Sequence, residues 1–333
     1  MNLQAVEPSH AHVFSVAPGV WGRKELFVNF FMIQDTASGA WALVDAGLKW
    51  SAPKIRNMAA QLFGEGSRPS AIILTHGHFD HIGALQALVE EWNVPVYAHS
   101  LEVPYLTGRS SYPPPDPTVG GGMMATMSWM YPKGPVNIQD YIRPLPGDNS
   151  IPGFPDWQYI HTPGHSPGHI SLFRESDRVL IVGDAFVTTK AESAMYALTG
   201  VKHLSGPPMY FTCNWASAEV SVIKLAALDP EIAATGHGPV MQGEELRGAL
   251  KNLSTNFKAE ALPITGRYLN EPAVTNEDGV MYLPPPTEQM TTVVKAVGIS
   301  IAALSVAFLI YRQTRPHKNE SSPKLVNSGV ETH

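Results

Sequence analysis

One run, His76-Gly77-His78-Phe79-Asp80-His81, carries three imidazoles and a carboxylate. It constrains the chain more than any other feature. The preceding Ala71-Ile72-Ile73-Leu74 is apolar and partly β-branched, which reads as a buried strand. After the run, Ile82, Leu85, Leu88, Val89 and Trp92 recur at helical spacing and predict a helix over 82–92. The run therefore falls on a strand-to-helix turn, beyond the carboxyl end of the strand, where α/β proteins place their ligand crevices. His76 and His78 are two apart in extended chain, so both rings can face one metal ion. Asp80 and His81 sit at the helix entrance, where the backbone changes direction, and can reach a second ion. Imidazole and carboxylate donors suit zinc, and also iron or manganese.

The chain has 333 residues, enough for one large layered domain with appendages. Hydrophobic residues make up 44% and charged residues 16%, so a sizeable core can form. The formal net charge of -6, with no long basic run before the C-terminus, argues against a nucleic-acid surface. Cys213 is the single cysteine, which excludes an internal disulfide and a cysteine zinc cluster. It reads as a packed small side chain. The first twenty residues lack a basic n-region and a continuous apolar stretch, so no signal peptide is expected.

Residues 11–47 predict antiparallel β structure, and 52–64 a helix with Ile55, Met58, Ala59 and Leu62 on one face. A short strand ends at His99, read as structural. Residues 102–150 break the rhythm with Pro113-Pro114-Pro115, Gly120-Gly121-Gly122 and a group of methionines and aromatics from Met123 to Tyr131. Long irregular insertions are usually functional, so this segment, with Trp129, is expected to cover a substrate. A second histidine-bearing turn, His161-Thr162-Pro163-Gly164-His165-Ser166-Pro167-Gly168-His169, lies between two strands. The apolar strand from Val179 to Val182 ends at Gly183-Asp184, residues 185–212 are irregular, and Trp215–Leu228 predicts a helix with Val220, Ile223 and Leu228 among its apolar positions. Ile232-Ala233-Ala234 ends at Thr235-Gly236-His237-Gly238, and a last helix begins near Leu246.

This ordered set of strand-terminal residues resembles the metallo-β-lactamase superfamily over residues 10–255. The resemblance rests on Val44-Asp45-Ala46-Gly47, the H-x-H-x-D-H run, the turn from Thr162 to His169, Gly183-Asp184 and Thr235-Gly236-His237-Gly238. It implies an α/β fold, a four-layer αβ/βα sandwich with two metal ions, zinc first among them, at one edge between two sheets. It also implies that His76, His78 and His165 hold one ion, that Asp80, His81 and His237 hold the other, and that Asp184 bridges them. Asp80 and Asp184 would be the catalytic carboxylates. Such a site can generate a bridging hydroxide near neutral pH and stabilise an oxyanion. His161 and His169 match no ligand position and read as supporting or structural.

The second site carries Asp80 where some zinc β-lactamases have cysteine. That points to the lactonase, thioesterase and nuclease branches of the family, and the acidic balance disfavours nucleic acid. The expected activity is attack of a metal-bridging hydroxide on an ester, lactone or thioester carbonyl of a small molecule with an apolar group. The alternatives are a mononuclear iron oxidoreductase of the persulfide-dioxygenase type and a phosphodiesterase. Tyr196, Tyr210 and Trp129 are the candidate substrate contacts. Residues 1–260 form the expected catalytic domain and 261–290 a proline-containing linker. Residues 291–311, uncharged from Ala296 to Tyr311 and apolar on all sides, predict a single transmembrane helix, followed by a polar tail over 312–333. This C-terminal helix would attach the protein to a membrane, with the catalytic domain on the cytoplasmic side.

Overall fold

The computed structural model describes residues 13–290 and Thr292. Strands β1 (Val13–Ala17), β2 (Val20–Glu25), β3 (Val28–Gln34), β4 (Trp41–Val44), β5 (Ala71–Ile73), β6 (Val96–Ala98) and β7 (Ile142–Pro144) form one sheet in chain order. Its first four strands pair antiparallel and its last four parallel. Strands β8 (Trp157–His161), β9 (Ile170–Arg174), β10 (Val179–Gly183), β11 (Ile232–Thr235) and β12 (Met241–Gln242) form the second, in the order β12-β11-β10-β9-β8.

The layering follows from period-two burial of nearly continuous apolar strands. Ile72 and Leu74 face the helices α1 (Ala52–Phe63) and α2 (Leu85–Trp92), packing with Ile55, Met58 and Leu88. Ile73, between them, faces the other sheet and packs with Ile170, Leu172 and Ile181. The short helices α3 (Val103–Leu106), α4 (Met123–Met127) and α5 (Ala194–Thr199) lie in the connecting segments. On β10, Leu180 and Val182 turn outward to α6 (Trp215–Ala227) and α7 (Gly243–Thr255), meeting Val222, Leu225, Leu246 and Leu250. Two sheets face to face, each backed by helices, give the four-layer αβ/βα sandwich. The carboxyl ends of β4, β5, β10 and β11 meet at one edge. There Ile170 N–H donates to Thr75 O at 2.9 Å and Asn29 Nδ2 to Thr235 O and Gly238 O at 2.9 and 2.7 Å, which joins the sheets.

Three expectations change. The helix after the histidine run starts at Leu85 rather than Ile82, because Gly83 N–H donates to Gly47 O at 2.7 Å and its Cα lies against the backbone of Leu48 and Lys49. Tertiary contact with the loop after β4 wins over helical spacing. On α6, Val220 and Ile223 are 61% and 47% exposed, and the buried face is Trp215, Ala218, Ser221, Val222 and Leu225. Ser221 is admitted because its hydroxyl donates to Pro163 O at 2.7 Å.

The third change concerns residues 261–290. Ala261, Tyr268 and Ala273 are buried in the outer core, Tyr268 Oη donates to Pro114 O at 2.7 Å, and Ala273 N–H donates to Cys213 O at 3.1 Å. A hairpin of β13 (Val274–Asn276) and β14 (Gly279–Tyr282) follows, and Arg267 Nε donates to Pro284 O at 2.6 Å. From Ala261 to Pro284 the chain is a strap laid on the domain, not a free linker. Its prolines fix extended stretches that the aromatic and backbone contacts hold down. The transmembrane helix expected over 291–311 lies outside the described residues apart from Thr292. Among the described residues no helix is long and apolar enough to cross a membrane.

Candidate metal centre

All seven residues singled out as metal ligands come together, and all are buried. Their donor atoms form three groups in which all atoms lie within 4.8 Å of one another: His76, His78 and His165; His76, His81 and Asp184; and Asp80, His81 and His237. His78 Nδ1 and His165 Nε2 are 2.9 Å apart. Asp184 Oδ2 lies 3.1 Å from His237 Nε2 and 3.5 Å from the Nε2 atoms of both His81 and His165, so this carboxylate stands between the two sides. His237 Nε2 is 3.5 Å from Asp80 Oδ2.

Backbone turns and outer partners aim these rings. Asp45, left-handed at φ 61° directly after β4, accepts Thr75 N–H at 2.8 Å and pairs with His81 Nδ1 at 2.8 Å. That strained conformation, tolerated by aspartate, brings a carboxylate behind His81 and leaves its Nε2 to face the site. Thr75 Oγ1 donates to Asp45 and accepts from His76 Nδ1 at 3.0 Å, which fixes the His76 ring in the same way. His237 Nδ1 donates to Phe27 O at 2.7 Å. His169 Nε2 accepts Asp184 N–H at 2.8 Å, and its Nδ1 donates to Thr162 Oγ1 at 2.8 Å. A Cβ at Gly236 would lie 2.2 Å from Asp184 Oδ1, so only glycine lets the His237 loop approach this closely.

The unpartnered atoms of the site fit metal ions. His76 Nε2, His81 Nε2 and Asp184 Oδ1 are buried without a hydrogen-bond partner. Each belongs to a residue of the three groups, and an orphaned buried donor or acceptor is costly unless something binds it. Imidazoles and carboxylates converging in a buried site match the nitrogen and oxygen donors of a dinuclear metal centre. Burial, and then the neighbouring imidazoles, hold His76 and His78 well below the ordinary histidine range, and burial brings His165 to about 4. Burial works the same way on His81 and His237, but Asp184, with Asp45 behind His81 and Asp80 beside His237, outweighs it and raises both. Burial alone would lift the Asp184 carboxyl, yet His237 and His81 hold it well below the usual carboxylate range.

An aromatic wall stands beside the centre. Phe211 stacks on His78 with centroids 4.4 Å apart, and Phe79, Tyr131 and Tyr210 cluster with it alongside Val119, Met124 and Met209. Of the candidate substrate contacts, Tyr210 is in this wall. Burial, then the Asp80 carboxylate, push its hydroxyl well above the ordinary tyrosine range. Tyr196 lies on the helix α5 (Ala194–Thr199), inside the stretch expected to be irregular, with Lys190 Nζ 5.3 Å from its ring centre. Trp129 is half-buried in a 3-10 turn, its indole nitrogen unpartnered.

His99 and His161 stack on each other at 4.0 Å, apart from the centre, as structural residues. Cys213 is buried, its thiol pushed up to about 12 by burial, as a packed side chain should be. The sequence reading missed the supporting role of Asp45. Its signal was a carboxylate at the end of a fully buried strand.

The profile of the Metallo-beta-lactamase superfamily matches residues 23–237. The chain is 44% identical over 247 residues to "Probable metallo-hydrolase YflN" of Bacillus subtilis (strain 168), an alignment covering 74% of this chain and 94% of that protein. It is 28% identical over 113 residues to "Hydroxyacylglutathione hydrolase GloC" of Haemophilus influenzae, covering 34% of this chain and 48% of that one. The solved structure of a metallo-beta-lactamase family protein from Thermus thermophilus aligns with a TM-score of 0.49 at 20% identity, covering 74% of this chain and 81% of that chain.

Proposed function

Since the chain belongs to the metallo-beta-lactamase superfamily and is a metal-dependent hydrolase, we propose that it cleaves a small-molecule ester, lactone or thioester bearing an apolar group. His76, His78 and His165 would hold one ion, Asp80, His81 and His237 the other, with Asp184 between them. Ions held there supply hydroxide near neutral pH and polarise a carbonyl.

The observation that carries this reading is the aromatic wall against the ligand His78. Phe79, Tyr131, Tyr210 and Phe211 present apolar surface beside two convergent sets of polar donors, which is the composition of a small-molecule site. The wall would seat the apolar group and exclude water. Tyr210 stays protonated throughout the physiological range, so its hydroxyl is a hydrogen-bond donor available to the carbonyl side of the substrate. Asp184, held ionised, keeps its negative charge between the two sides. The completeness of the Asp80–His81–His237 group supports two ions rather than one.

The test is elemental analysis of the reloaded protein followed by turnover on lactones, aryl esters and thioesters of graded chain length. The expected result is two ions per chain, with kcat/KM rising with chain length in one of these series. One iron per chain with sulfite formed from a persulfide would overturn the proposal, as would turnover confined to phosphodiesters.

A further inference from the structure

Glu102 is fully buried and forms no ion pair among the described residues. Four donors converge on its carboxylate instead. Oε1 accepts Ser166 Oγ at 2.8 Å and Gly168 N–H at 2.7 Å, while Oε2 accepts Gly77 N–H at 3.0 Å and the Tyr112 hydroxyl. Gly77 lies between His76 and His78, and Ser166 follows His165. One carboxylate therefore spans the two loops that bring the three histidines together. The loops also close tightly around it. A Cβ at Gly168 would lie 2.7 Å from Glu102 Cγ, and one at Gly77 would lie 2.4 Å from the Tyr112 hydroxyl oxygen.

We propose that Glu102 is a positioning residue that sets the separation of the 75–81 and 162–169 loops and thereby the geometry of the His76–His78–His165 group. The inference rests on the reading of that group as a metal site. The chemistry requires a carboxylate. Each oxygen faces a backbone N–H, which cannot turn away or become an acceptor, and ionised acceptors make the stronger bonds to such groups. Glutamine has nearly the same shape, but its amide nitrogen would meet one of those N–H groups, donor against donor. Glu102→Gln should then cost one backbone bond and weaken the link to one loop, where only a hydroxyl, Ser166 or Tyr112, can turn to accept the amide, with almost no change in volume.

Two measurements on the full chain test this. In the metal-free protein, hydrogen exchange over 75–81 and 162–169 is compared between wild type and Glu102→Gln. In an Asp80→Ala background, which isolates the three-histidine group, Co2+ binding is titrated with and without Glu102→Gln. The expected result is faster exchange in at least one of the two loops and a Co2+ dissociation constant raised about 10- to 100-fold, the usual cost of losing an outer partner of a metal ligand. Unchanged exchange together with unchanged Co2+ affinity overturns the proposal. Should Glu102→Gln fail to fold, the pair Ser166→Ala with Tyr112→Phe removes both hydroxyl donors and keeps both backbone bonds. It should weaken Co2+ binding in the same background, and no change would overturn the proposal. If the wild type takes up no metal, the reading of the centre fails, and the exchange comparison still decides whether Glu102 joins the loops.

Discussion

The two sides of the centre use the same imidazole chemistry in opposite electrostatic settings. His76, His78 and His165 face one another, and burial leaves them neutral. His81 and His237 face Asp184, with Asp45 and Asp80 close by, and these carboxylates raise both above the ordinary histidine range. A metal ion entering the first side meets uncharged rings and has only the contact between His78 Nδ1 and His165 Nε2 to part. An ion entering the second competes with protons that the neighbouring carboxylates favour on the imidazoles. Burial alone does not prepare a histidine to bind metal; what stands behind and beside the ring decides the competitor.

This contrast is most directly broken at Asp184, which serves both sides. Asp184→Ala should lower turnover on the order of 10^3-fold, at the upper end for losing one preorganised electrostatic group, and reduce occupancy at both sites. Asp80→Ala should bring metal content from two ions to one. Equal losses in these two variants, by elemental analysis, would show that the sides are not separable. Asp45→Asn should next weaken the second ion by about 10- to 100-fold while leaving the first in place. Calorimetric titration would resolve the two steps, and a matched loss of both would refute the assignment of Asp45 to one side.

Acidification sharpens the same comparison. His81 and His237 have raised folded-state values, so their protonated forms gain as pH falls, and each proton that must leave weakens the second ion by about tenfold per pH unit below those values. The three-histidine side, with His165 at about 4, should hold its ion to lower pH. Dialysis from pH 8 to pH 5 should release one ion before the other. Release of both together would contradict the electrostatic difference. The smallest expected effect is at Tyr210. Tyr210→Phe should reduce kcat/KM by about tenfold, the worth of one hydrogen bond, with metal content unchanged, as a full kinetic and metal assay would show.

The sequence exposed the ligands because chemistry forced them into adjacent positions at strand ends. Apolar strands such as β5 (Ala71–Ile73) and β10 (Val179–Gly183) are equally legible, since burial on both faces leaves an unbroken hydrophobic run. What was hidden depended on long-range partners. Nothing local shows that Gly83 binds Gly47, that Ser221 can face inward by donating to Pro163, or that the Asp45 carboxylate stands behind His81. The strap is hidden for a related reason. Its prolines read as a spacer, whereas Tyr268 and Ala273 bury themselves on residues far earlier in the chain, at Pro114 and Cys213.

That strap gives the domain a time order during synthesis. At about 5–20 residues per second, roughly one to five seconds separate the emergence of Ala261 from that of Pro284. Throughout this interval both sheets and all their proposed ligands already exist as chain, but the surface that Tyr268 and Ala273 will cover is open to water. A nascent chain halted near residue 260 would therefore carry an exposed apolar face beside Cys213, and would be a target for chaperones or proteases before it was an enzyme.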